Sequence, residues 1–153
     1  MRRVFFISVL FAVAFTTSAQ IKPDKEGELF YGDGDKPFTG LYREYWENGN
    51  TKVEIPLRKG VINGDMIIYF SDKGRNEIRA YKSGKMHGTW ITWDEKGNKI
   101  AEASYRNGKK NGKWYVWDEN GTLRYDMTYK NGDKSGTWFM WDEKGTVIME
   151  KKY

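Results

Sequence analysis

From Leu123 to Lys130 the chain alternates without a break. Leu123, Tyr125, Met127 and Tyr129 fall on one side; Arg124, Asp126, Thr128 and Lys130 fall on the other. A period of two is the period of a strand with one buried face. Val147, Met149 and Tyr153 repeat the apolar side, with Lys151 as the exception, and Ala101, Ala103 and Tyr105 give a fainter version. Ahead of Leu123 stands Lys113 to Trp117, short and aromatic as strands are. Between these two segments lies DENG, matched elsewhere by DEKG. Two residues in the right-handed region and a glycine in the left-handed one close a three-residue hairpin loop with a bulge. The hairpins are linked by YKSGKMHG, YRNGKKNG and YKNGDKSG. Asn-Gly is the strongest short hairpin signal. Glycine recurs too often for a helix, and no 3.6-residue stripe survives.

The pattern is periodic. GLYREYWENG (Gly40 to Gly49), GDMIIYFSDKG (Gly64 to Gly74), GTWITWDEKG (Gly88 to Gly97), GKWYVWDENG (Gly112 to Gly121) and GTWFMWDEKG (Gly136 to Gly145) follow one another. Their first glycines, Gly40, Gly64, Gly88, Gly112 and Gly136, are twenty-four residues apart, and Gly60, Gly84, Gly108 and Gly132 form a second ladder. Such a period marks a repeat architecture. The expected fold is all-β: an elongated antiparallel meander of about five stacked hairpins in a single sheet. The repeats span 37–60, 61–84, 85–108, 109–132 and 133–153, behind a lead-in over 20–36. In the second copy Gly74 comes one residue late, which reads as a shifted turn. Trp90, Trp93, Trp114, Trp117, Trp138 and Trp141, with Tyr105 and Tyr129, would form an aromatic spine whose role is mainly structural, because a single repeat cannot bury its apolar face alone. Trp114 and Trp117 face opposite ways in a regular strand. Trp93, Trp117 and Trp141 are expected on the side of the apolar alternation.

The first nineteen residues read differently. Arg2 and Arg3 precede the apolar run Val4 to Phe15, too short for a membrane span, and Thr17-Ser18-Ala19 offers small residues for cleavage. Residues 1–19 therefore read as a signal peptide, with a periplasmic or secreted mature chain. With no cysteine there is no disulfide framework, no cysteine zinc site and no lipid-modified anchor. The lone histidine, His87, reads as a turn residue before a glycine.

The chain carries a net charge of +5, which loses two units with Arg2 and Arg3. That is no nucleic-acid signature. Its distribution is more informative, because the turns of a meander alternate between two rims. One rim collects Glu47, Asp72, Asp94, Glu95, Asp118, Glu119, Asp142 and Glu143. The other is basic, and its candidate binding residues are Arg106, Lys109, Lys110, Lys113, Lys130 and Lys134. The Asp-Glu pairs are adjacent in exposed turns, so nothing separates their pKa values as a catalytic pair requires. The loops offer too few oxygens for calcium. No catalytic residue, metal or cofactor is expected.

The motif G-x-W-x-x-W-x-x-x-G, followed by a strand and Y-x-N-G-x-x-x-G, resembles the bacterial MORN-repeat variant family, which includes proteins labelled YwqK-like antitoxins. The lead-in FYGDGDKPFTG (Phe30 to Gly40) fits the same family, and the likeness covers about residues 28 to 153. The second copy departs from it, with Met66, Ile67 and Ile68 where others carry tryptophan. The resemblance implies a curved ribbon of hairpins that works by binding, without catalytic residues. The expected function is an exported, non-enzymatic protein-interaction module, antitoxin- or immunity-like, with an unidentified protein partner. The alternative is binding to an anionic lipid or an envelope glycan through the basic rim and exposed aromatics.

Overall fold

The computed structural model describes residues 21–23 and 29–153. The expected signal peptide lies outside the described residues. A short ribbon of β1 (Lys22–Pro23) and β2 (Phe30–Tyr31) precedes a 3-10 turn at Asp33–Asp35. The main strands are β3 (Gly40–Tyr45), β4 (Thr51–Arg58), β5 (Val61–Ile62), β6 (Gly64–Tyr69), β7 (Arg75–Lys82), β8 (Lys85–Trp93) and β9 (Lys99–Arg106), then β10 (Lys109–Trp117), β11 (Leu123–Lys130), β12 (Asp133–Trp141) and β13 (Val147–Lys152). They form one sheet of eleven strands, every pairing antiparallel and between chain neighbours except that of β4 with β6, which passes over β5, with β3 and β13 at its ends. This is the meander of hairpins that the alternation predicts. β5 and β6 together take the place of one long strand such as β8, interrupted at Asn63.

The linking turns are two-residue hairpins of the I′ kind, with positive φ at both positions. Asn107 and Gly108 stand at +51° and +81°, and Asn131 and Gly132 at +53° and +102°. Lys59-Gly60 and Ser83-Gly84 adopt the same form without an asparagine. The opposite turns place Gly49, Gly97, Gly121 and Gly145 in the left-handed region, each donating its N–H to the carbonyl three residues back. The second copy does not shift its turn. Lys73 occupies the left-handed position at φ +79° and bonds the Phe70 carbonyl at 3.1 Å, so the late Gly74 merely follows it. A side chain is strained there. Lys73→Gly is expected to stabilise the protein by about 0.5–1 kcal/mol, read as a rise in the chemical-denaturation midpoint.

Burial is unevenly spread. Val53, Ile55 and Leu57 alternate along β4 and are buried together with Phe30. Ile21, Phe38, Tyr42, Ile62, Met66 and Ile68 pack against them. The lead-in is thus a cover over one face of the sheet at its N-terminal end. It is held by Phe30 N–H to the Gly60 carbonyl at 2.8 Å and Phe38 N–H to the Phe30 carbonyl at 2.9 Å. Further along the ribbon only Trp138 is buried to the same degree.

Candidate functional site: an aromatic spine with a lysine margin

Register decides which rings meet. β10 and β11 pair Gly112 with Tyr129, Trp114 with Met127 and Val116 with Tyr125. Residues directly opposite in an antiparallel pair share a face. Trp90, Trp114 and Trp138 therefore lie on the side of Tyr105 and Tyr129. Trp93, Trp117 and Trp141, expected there from the alternation, lie on the other side. Trp117 is 5.6 Å from Tyr115, and Trp141 lies 5.7 Å from Phe139, stacked at 29°. The reason is a bulge at the hairpin end. Val116 pairs with Tyr125 but Trp117 pairs with Leu123, so Arg124 is an extra residue and the alternation cannot be counted through it.

On the spine face the rings form one unbroken row: Tyr81, Trp90, Tyr105, Trp114, Tyr129, Trp138 and Tyr153. Neighbouring centroids are 4.7 to 5.5 Å apart and the planes are inclined by 45° to 62°. Inclined rings place a positive edge against a negative face, worth about 0.5–1.5 kcal/mol per pair beyond area burial. Burial raises the Tyr105 pKa above its ordinary value.

The glycines explain how the indoles fit. Against β9, β10 pairs Lys110 with Tyr105 and then Trp114 with Ala103, so Asn111, Gly112 and Lys113 lie opposite Ser104 alone. The ladder breaks there, and the Trp114 indole N–H donates to the Ser104 carbonyl at 3.0 Å. Trp90 does the same to Ala80 at 3.0 Å and Trp138 to Thr128 at 2.9 Å. Gly88, Gly112 and Gly136 sit on such breaks with φ of +92°, +106° and +67°; Gly64 follows the interruption at Asn63 with φ +120°, and Gly40 opens the end strand β3 with φ +152°.

The six basic residues do not form one rim. Arg106 and Lys109 pair across one turn, and Lys130 stands opposite Asp133 across the next. Lys113 belongs to the far face, bonded to Asp126 at 2.6 Å. Lys110 and Lys134 instead fold onto the spine. The Lys110 ammonium is 4.2 Å from the Trp114 ring centre and 4.8 Å from Tyr129. The Lys134 ammonium is 4.7 Å from Trp138 and 4.8 Å from Tyr153. Lys151 adds a third, 5.1 Å from Tyr153. Among the described residues none of these three has a carboxylate within ion-pair distance.

The recurring acidic residues hold turns. Asp94, Asp118 and Asp142 each accept two backbone N–H bonds within their own loop, at 2.8 to 3.0 Å. The Asn98 side chain, donating to Asp94, holds that carboxyl below its ordinary range. His87 has a similar duty: its Nδ1 accepts the Asn107 N–H at 3.5 Å. Thr39, Asn63 and Asn111 do the same for Lys59, Ser83 and Asn131, at 2.9 to 3.2 Å. A side-chain acceptor at this place in the repeat therefore steadies the first left-handed residue of the following linking turn. The signal was present in the sequence as Thr, Asn, His, Asn at twenty-four-residue intervals.

This architecture defines a β-hairpin repeat protein with two unlike faces. Residues 38–59, 86–107 and 110–131 match the model of the MORN repeat variant. No curated protein matches the chain. The matched segments begin forty-eight and twenty-four residues apart, in phase with the structural repeat. Repeats of this kind are commonly binding modules.

Proposed function

We propose that the protein is a non-enzymatic interaction module that grips an acidic protein surface along the spine face of its last three repeats. The observation that carries this reading is the row Lys110, Lys134 and Lys151. These cations lie over aromatic rings and outside the ion pairs that occupy Lys113, Lys99 and Arg124. An ammonium held over a ring is positioned without being neutralised. In each Asp-Glu pair the aspartate is committed to backbone N–H groups of its own turn. The N-terminal apolar run supports export, a mature chain beginning at Gln20, and an antitoxin- or immunity-like role outside the cytoplasm. The mass of the exported chain checks the cleavage point.

A second reading draws on the same cations: an anionic envelope surface, lipid or glycan, would meet them equally well. The spine tryptophans suit a sugar less, because their planes are inclined and their N–H groups are engaged. The test immobilises the protein, exposes it to envelope extract and identifies what is retained above a charge-matched control. One dominant protein, weakened about tenfold or more by Lys110→Glu with Lys134→Glu, is the expected result. Retention that the double reversal leaves unchanged sinks the assignment to this face. Salt-sensitive binding to anionic vesicles, with no protein retained, favours the second reading.

A further inference from the structure

The two ends of the sheet carry matching chemistry. Among the described residues nothing pairs with the outer side of β3, and every residue of the strand but Tyr42 is exposed. β13 is exposed except at Met149, and Val147 and Ile148 stand 49% and 55% open. Such edges present unpaired N–H and C=O groups. Inside the sheet, the strand at β13's place in the repeat is always met by the first strand of the next repeat. β9 meets β10 with Ala101 opposite Val116, Glu102 opposite Tyr115 and Ala103 opposite Trp114. β11 meets β12 in the same register, Tyr125 opposite Met140 and Asp126 opposite Phe139. By that period, the strand suited to the outer side of β13 is one with the place of β3.

We propose that β13 of one copy receives β3 of a second copy, so that the meander continues head to tail from chain to chain. Carrying the β9–β10 register forward by two periods puts Met149 opposite Glu44 of the second copy, Glu150 opposite Arg43 and Lys151 opposite Tyr42. The charges then match on both faces. On one face Glu150 meets the Arg43 guanidinium, which holds Glu54 of its own chain at 2.7 Å, so that the arginine lies between two carboxylates. On the other face Lys151 comes over Tyr42 and beside Glu44. This repeats the way Arg79, opposite Trp90, lies 5.4 Å from the Trp90 ring centre. Two β13 edges related by a twofold axis at Glu150 would instead set that carboxylate against itself.

The described part of the lead-in limits the contact without blocking it. It pairs with the chain before Gly40, through Tyr31 opposite Pro37 and the Phe38 N–H to the Phe30 carbonyl. Among the described residues β3 itself keeps β4 as its one neighbour. Glu150, Lys151 and Lys152 discourage unmatched strands while suiting this one.

The chain has no cysteine, so single introduced thiols report cleanly. Full-length Met149→Cys and Glu44→Cys chains are mixed under mild oxidation. Disulfide-linked dimers are expected in the mixture and not with either chain alone, and a chain carrying both substitutions should give a ladder of covalent multimers. Adding Glu150→Arg to the Met149→Cys chain should cut the yield about tenfold, and Arg43→Glu on its partner should restore it. Cross-linking of Met149→Cys chains to one another at the mixture's rate would show self-paired edges and overturn the proposal. So would a mixture that cross-links no more than its components.

Discussion

Trp114→Ala is expected to destabilise the protein by about 3–5 kcal/mol, the range for removing a large packed aromatic side chain. Three losses coincide at this residue. The row of rings is cut between Tyr105 and Tyr129, whose centroids lie 5.2 and 5.3 Å from Trp114. The Ser104 carbonyl loses its indole donor. The Lys110 ammonium loses the ring beneath it. Trp114→Phe separates these effects in part: it keeps an aromatic ring in the row but removes the N–H and the pyrrole part of the indole, so about 1–2 kcal/mol is expected from that change. Urea unfolding of both variants checks the pair. Equal losses would mean that the hydrogen bond, not the row of rings, carries the stability.

Gly112→Ala is the second large effect, about 2 kcal/mol or more, because backbone strain and contact act together. The φ of +106° is one that a residue with a Cβ rarely adopts, and the added methyl would stand 3.0 Å from the Ser104 Cβ. Gly136→Ala is the control. It occupies the same place in the repeat, but at φ +67° and 3.7 Å from the Thr128 Cβ. It should cost about 1 kcal/mol, the penalty of the left-handed region alone. Thermal unfolding of the two variants reads the difference, and identical losses would refute the contact argument.

Alternation and punctuation were enough for the fold. The strict period of two in Leu123 to Lys130 marked a half-buried strand, and Asn-Gly marked the tight turns that make each strand pair with its chain neighbour. What the pattern hid lies where the ladder is out of register. One extra residue at Arg124 sets Leu123 opposite Trp117, so an alternation counted back from Tyr125 assigns Trp117 to the wrong face. Asn111, Gly112 and Lys113 against Ser104 put an indole N–H on a carbonyl ten residues back. Neither can be found by counting in twos. Lys73 misled for a simpler reason: a lysine can take a left-handed position when the rest of the hairpin holds it there. The basic residues read as a rim because their distance from glycine places them near turns. Whether a long side chain points outward or folds back over a ring depends on which face its strand position gives it. Lys110 and Lys113, three residues apart, fall on opposite faces.

Because each strand, with β5 and β6 counted as one, pairs only with the strand before and after it in the chain, the ribbon can change length in whole steps. One repeat adds two strands, about 9–10 Å of sheet. It brings its own turns, its own glycine and its own Trp–Tyr pair, and it asks nothing of distant residues. Duplicating or deleting a twenty-four-residue unit would therefore alter the reach of the protein while leaving the joints at either side intact. In such a molecule the length of the aromatic face is an inheritable variable separate from its chemistry, open to adjustment by recombination alone.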